Sequence, residues 1–177
     1  MQSRSKIYTL RHLAQNKKNQ GFTLIEILVT VIIIGVLASF ALPNVLGQTA
    51  KARQAEAKLD LGTIDRAQQS YKGEKGTFTR LTNPFLGVVI QGVYYNFSGP
   101  VSDNGTYASH SASAISTYVN DIKNYASAVS VDNNGNFAAV VCESLDVAST
   151  AGGAVSPGTS YAAITGGTPC AIGHQIN

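Results

Sequence analysis

The chain has 177 residues, of which 44% are hydrophobic and only 13% charged, with a formal net charge of +3 and two cysteines. The basicity is confined to one end: residues 1–21 hold Arg4, Lys6, Arg11, Lys17 and Lys18 with no acid, and the remainder is slightly acidic. That distribution excludes a basic nucleic-acid binder as the body of the protein, and the length allows one modest domain plus a hydrophobic extension.

After the basic leader comes an apolar run in which Glu26 is the only charge between Phe22 and Leu42. As a helix this run spans roughly 31 Å, which matches a bilayer core of about 30 Å. A carboxylate placed in hydrocarbon costs on the order of 2.5–3.5 kcal/mol, so Glu26 is expected to have a partner or a function. Lysines and arginines immediately before a span put the N-terminus in the cytoplasm and everything after Leu42 outside. An ordinary secretory signal would be cut after the apolar stretch, at a small-residue site such as Ser39-Phe40-Ala41. The run is long for a signal core, and such a core gains nothing from Glu26. The other possibility is a cut at Gly21/Phe22, which leaves a new α-amine on Phe22, one helical turn from the Glu26 carboxylate.

Pro43 lacks an N–H and predicts a kink or local melting near Phe40–Gly47. Beyond it Leu46, Ala50, Ala57, Leu61, Ile64, Ala67 and Tyr71 recur at three- and four-residue steps, which predicts an amphipathic helix over residues 43–75 packed on a globular head. Gly73 and Gly76 supply its C-terminal caps. The head, residues 76–177, is rich in Ser, Thr, Gly, Asn and Tyr. Val88–Ile90, Val93–Phe97, Tyr125–Val131 and Asn136–Glu143 are β-prone, and Asp132-Asn133-Asn134-Gly135 between the last two reads as a hairpin turn. Between Asn104 and Asn124 the sequence is ambiguous, with Ile115, Val119, Ile122 and Tyr125 offering a short helical face. The fold class expected is α+β: one long N-terminal helix whose outer half packs on an antiparallel sheet of three to five strands.

Cys142 and Cys170 fall in the outer part, where a disulfide persists. Their pairing is forced by number if both are oxidised within one chain, and closing that loop contributes about 3–4 kcal/mol in the chain-entropy model. It would tie the Gly- and Thr-rich tail to the strand ending near Glu143. A metal would need more ligands at close spacing. Neither a catalytic nor a metal site is expected, and no cofactor, small-molecule substrate or specific nucleic-acid site is indicated: no phosphate loop or nucleophile elbow appears. His12, His110 and His174 are scattered. Asp132–Asn136 lacks the spacing and closing glutamate of a calcium loop.

The string Gly21-Phe22-Thr23-Leu24-Ile25-Glu26, after a basic leader and before an apolar helix, resembles the prepilin motif of type IV pilins and the related pseudopilins. Pro43 and the amphipathic helix add to the match, and Gly135–Cys142 resembles the globular part of cyanobacterial-type pilins. The resemblance implies that residues 1–21 are a leader cut after Gly21 by a prepilin peptidase that also N-methylates Phe22. It implies that residues 22–42 cross the inner membrane and later form a filament core, with Glu26 pairing the Phe22 amine of a neighbouring subunit. Partners are then identical subunits, the inner membrane and the pilus assembly machinery, and the product is an extracellular pilus. Two alternatives stand beside this: a pseudopilin of a type II secretion system, and a membrane-anchored extracytoplasmic binding protein.

Overall fold

The computed structural model describes residues 22–99, 105–150, 153, 156–157, 161–165 and 169–176. The basic leader, with Gly21 and His12, lies outside the described residues. The chain divides into two compact units, residues 1–42 and 43–177, and one helix, α1 (Leu24–Lys75), is assigned through both.

In the first unit α1 is exposed at every described position, with Leu24 83%, Ile25 65% and Leu37 64% accessible. Its hydroxyls do not oppose an apolar environment, because each bonds back to its own helix. Thr30 Oγ1 donates to Ile27 C=O at 2.7 Å and Ser39 Oγ to Val36 C=O at 2.7 Å, which leaves no free donor facing outward. Helix assignment continues through Phe40–Gly47 without a break, so the melting anticipated there is absent. Proline costs one hydrogen bond, and the turns on both sides persist.

In the second unit α1 packs on an antiparallel sheet of β1 (Tyr95–Ser98), β2 (Tyr107–Ala114), β3 (Lys123–Val131), β4 (Phe137–Val147) and, later in the chain, β7 (His174–Gln175), in the order β1-β2-β3-β4-β7. Ala57, Leu61 and Ile64 meet Tyr95, Ala112, Ile122 and Tyr125, all buried. Leu61 and Ile64 each contribute about 1.5–3 kcal/mol by leaving water. The helix ends at Gly76, which takes φ 73° and whose N–H donates to Lys72 C=O at 2.9 Å, whereas Gly73, also expected as a cap, stays helical within α1. The other face of the sheet carries Ala128, Ala138, Val140 and Cys142 under Ile164 of a short helix, α2 (Tyr161–Thr165). Beside it β5 (Ser156–Pro157) pairs with β6 (Cys170–Ile172). The disulfide Cys142–Cys170 forms as expected, with Cα atoms 5.9 Å apart.

Several expectations are corrected. Leu46 is 64% exposed, while Asp65 and Gln68 on the same helix are buried. Gln68 earns its place by bonding the returning chain: its Nε2 donates to Thr79 C=O at 2.5 Å, and its Oε1 accepts from Thr79 N–H at 3.1 Å. The stretch Tyr107–Ala114 is a strand with Ala108, His110 and Ala112 inward. Ile115–Ile122 forms turns, with Tyr118 N–H on Ile115 C=O at 2.9 Å. Val88–Ile90 belongs to no strand. Gly87 at φ 74° ends the 3-10 turn Pro84–Leu86 before it, and Glu56 Oε1 accepts the N–H groups of Val93 and Tyr94 at 2.8 and 3.0 Å after it.

Candidate functional site

The N-terminus of α1 is built by Thr23. Its C=O accepts from Glu26 N–H at 3.2 Å and Ile27 N–H at 3.3 Å, and its Oγ1 accepts from Glu26 N–H at 3.3 Å. Thr23 is therefore the N-cap, and Glu26 is the third helical residue, the Thr-x-x-Glu spacing of a capping box. Sequence reasoning dwelt on the acid and missed the cap, although this spacing before an apolar run is its usual signal. The arrangement fixes where the helix starts, so the Glu26 carboxylate sits in the first turn, where the helix dipole favours negative charge by about 0.3–1 kcal/mol.

Among the described residues the Glu26 carboxylate makes no hydrogen bond or ion pair. Phe22 lies next to the cap and is 76% exposed. The unit thus presents a single acid, positioned by a backbone cap, on a helix whose sides are otherwise uncovered hydrocarbon. Such a surface is stable only against lipid or other apolar helices. Of the residues singled out by sequence, Phe22 and Glu26 share one helical end, Pro43 lies within α1, Cys142 and Cys170 are bonded, and Gly21 is outside the described residues.

In the head, Glu143 on β4 gathers charge. Lys123 Nζ stands 3.2 Å, Lys58 Nζ 3.6 Å and His174 Nε2 2.8 Å from its oxygens. Burial pushes its carboxyl up, but the Lys123 hydrogen bond with the charges of Lys123, Lys58 and His174 outweighs this and holds it below the usual range. His174 lies on β7, so this cluster fastens the tail beside the disulfide. Asp132 is spent on its turn: its carboxylate accepts from Asn134 N–H, Asn136 N–H and Asn136 Nδ2 at 2.8, 2.8 and 2.9 Å.

Under α1 lies a buried polar layer. Ser127 Oγ donates to Asp65 Oδ1 at 2.8 Å, and His110 stands opposite Ser127 in the strand register. Burial raises the Asp65 carboxyl from 3.8 to about 7 against the Ser127 bond, and burial lowers His110 from 6.5 to about 4. Unfolded Asp65 loses its proton near 3.8 and folded Asp65 near 7, so its stabilising effect fades as pH rises across that window. Unfolded His110 gains a proton below 6.5 and folded His110 only near 4, so its effect fades as pH falls. The two slopes oppose one another. Asp65→Asn is expected to leave stability rising with pH between these values, and His110→Phe to leave it falling. Thermal unfolding at stepped pH reads both; parallel slopes in the two variants would contradict this layer.

Comparison with known proteins assigns these features. The type IV pilin-like G and H family matches residues 54–167, more than half of the chain, and the prokaryotic N-terminal methylation motif matches residues 16–42. The type IV major pilin protein PilA of Myxococcus xanthus (strain DK1622) is 43% identical over 68 residues, which covers 38% of this chain and 31% of that protein. The type II secretion system core protein G of Vibrio cholerae is 39% identical over 79 residues, covering 38% of this chain and 54% of that protein. Its counterpart in Escherichia coli (strain K12) is 46% identical over 55 residues, covering 31% of this chain and 38% of that protein. The chain therefore spans from about a third to about half the length of these relatives. With its capped apolar helix, antiparallel head and tail disulfide, the chain belongs to the type IV pilin-like G and H family and carries the prokaryotic N-terminal methylation motif.

Proposed function

We propose that this chain is a structural subunit of an extracellular type IV pilus and not an enzyme. A prepilin peptidase cuts after Gly21 and methylates Phe22, the helix over residues 22–42 holds the subunit in the inner membrane with its N-terminus cytoplasmic, and assembly machinery then polymerises it. In the filament the Glu26 carboxylate pairs the Phe22 amine of a neighbouring copy, and Pro43 gives the helix its bend. The observation that carries this reading is the unpaired Glu26 held in the first turn of an uncovered apolar helix. Both charges are costly alone in low dielectric and attract when close. Methylation keeps the amine's charge, so the pairing survives it. A slip of one step along the helix strands both charges, so the pair also sets the register between subunits.

The second reading is a type II secretion pseudopilin, favoured by the core G relatives that match a similar length of chain at similar identity. Surface filaments sheared from cells separate the two. A pilin is recovered there in bulk or as a minor component, whereas absence from the sheared fraction with retention in the envelope favours the pseudopilin. Replacing Gly21 by a bulky residue such as leucine is expected to block cutting, leaving the full-length precursor in the membrane on an immunoblot. Normal trimming of that variant would reject peptidase processing at this bond.

A further inference from the structure

Two features of the head are left incomplete within one chain. The first is the stretch Val88–Gly92, an uncharged run of β-prone residues that enters no strand. Among the described residues its backbone groups form no hydrogen bond, and Val89 is 87% exposed. Ile90 packs against the core of its own chain, and uncharged β-prone segments of this kind pair with other chains where their backbone stays uncovered.

The second is the outer edge of β4. Asp132 N–H donates to Asn136 C=O at 3.0 Å on the β3 side, whereas Ile176 N–H donates to Val141 C=O at 3.1 Å on the β7 side. Backbone direction alternates along a strand, so Phe137 and Ala139 also turn their N–H and C=O outward. Pairing with β7 covers Cys142 and Glu143, and the Ile176 bond takes the Val141 C=O, so Phe137–Ala139 is the part of this edge left without a paired strand among the described residues. A groove of about 350 Å³ lies between this edge, the Gln175–Ile176 tail and α1, bordered by Ala139, Gly62, Asp65, Arg66 and Ile176. Gly62 costs α1 about 1 kcal/mol relative to alanine and leaves the groove open, since a Cβ there meets nothing within 4 Å. Asp65 is 3% exposed, and its Oδ2 has no hydrogen-bond partner. The groove thus holds unpaired edge donors and acceptors beside a buried oxygen without a donor.

The two features cannot meet in one molecule, because the segment leads into β1 while β2 and β3 separate β1 from β4. We propose that Val88–Gly92 of one subunit adds as a strand to the Phe137–Ala139 edge of β4 in a second copy, entering the groove beside Asp65. Such a contact is head-to-tail, and one whose rotation does not close a ring propagates as an open polymer. β7 already uses the same edge in the same way, which shows that the edge accepts an extended segment. The inference rests on the chain polymerising.

The test is a mixed cross-link. One copy carries Val89→Cys, a co-expressed copy carries Ala139→Cys, and sheared filaments are oxidised and run without reducing agent. The expected result is a dimer band that needs both variants. Val89→Cys with Leu145→Cys, an exposed position elsewhere on β4 (64% accessible), serves as control and is expected to give none. Normal filaments without the mixed dimer, or an equal band from the control, overturn the strand addition and leave the pilin reading standing. Absence of wild-type chain from the sheared fraction rejects both. If the cysteine variants fail to assemble, proline placed singly at positions 88–92 decides the matter. A paired strand loses incorporation about tenfold at alternate positions, where an N–H is needed, and uniform tolerance overturns the proposal.

Discussion

Glu26→Val is expected to leave the protein in the membrane and to remove it from filaments. Insertion becomes easier, since the variant drops a charge that opposes it by on the order of 2.5–3.5 kcal/mol. Polymerisation suffers for a different reason: each incorporated variant leaves the Phe22 ammonium of a neighbour without its counter-charge in low dielectric. Stranding one member of a buried pair costs about 3–5 kcal/mol, which corresponds to a loss of more than about a hundredfold when the variant competes with wild-type subunits. Glu26→Gln refines the experiment. The cap runs from the backbone N–H of position 26 to Thr23 Oγ1 and does not involve the residue 26 side chain, so with glutamine the helix start is kept and only the charge is lost. Both variants are expected to fail in co-assembly while fractionating with membranes. Quantifying tagged variant in sheared filaments from cells that also express wild type reads this directly, and normal recovery of the glutamine variant would show that the charge is not what assembly needs.

Removing the disulfide is expected to have the largest effect on the head. Cys142 and Cys170 stand 28 positions apart in sequence, and losing that closure costs about 3–4 kcal/mol in the chain-entropy model. A folded domain is stable by only about 5–15 kcal/mol, so the double variant Cys142→Ser/Cys170→Ser sits near the margin. The structural consequence is local first. β6 begins at Cys170, and β7 pairs with β4 at Cys142 and Glu143 only. Once the bond is gone, the tail keeps the His174–Glu143 contact at 2.8 Å, the Ile176–Val141 hydrogen bond and the short pairing of β6 with β5. Denaturant unfolding of the purified protein in detergent, with and without the bond, measures the difference. A change below about 1 kcal/mol would mean that the tail is held by something other than this closure.

What the sequence disclosed divides along physical lines. The apolar run, Glu26 and the two cysteines carry strong signals, because membrane length, an isolated charge and an oxidising compartment each leave few solutions. The Asp132–Gly135 turn and the Gly76 cap were legible because their residue types meet a backbone demand: both glycines take positive φ, 84° and 73°. β2 was not legible. Its inward residues are Ala108, His110 and Ala112, too small or too polar to stand out from the serines between them, and tertiary packing decides their burial. The burial of Asp65 was not legible, because charged side chains are seldom buried; the register that brings Ser127 above it explains its place. Val88–Ile90 has strand chemistry without a strand in its own chain, which local propensity cannot distinguish from a paired one.

The proposed assembly depends most on an amine at Phe22, which trimming after Gly21 would create beside Glu26. Mass spectrometry of the mature chain recovered from surface filaments tests this directly. The predicted first residue is Phe22, carrying one methyl group on its α-nitrogen; a mature chain that begins at Met1 or at Leu42 would contradict the account.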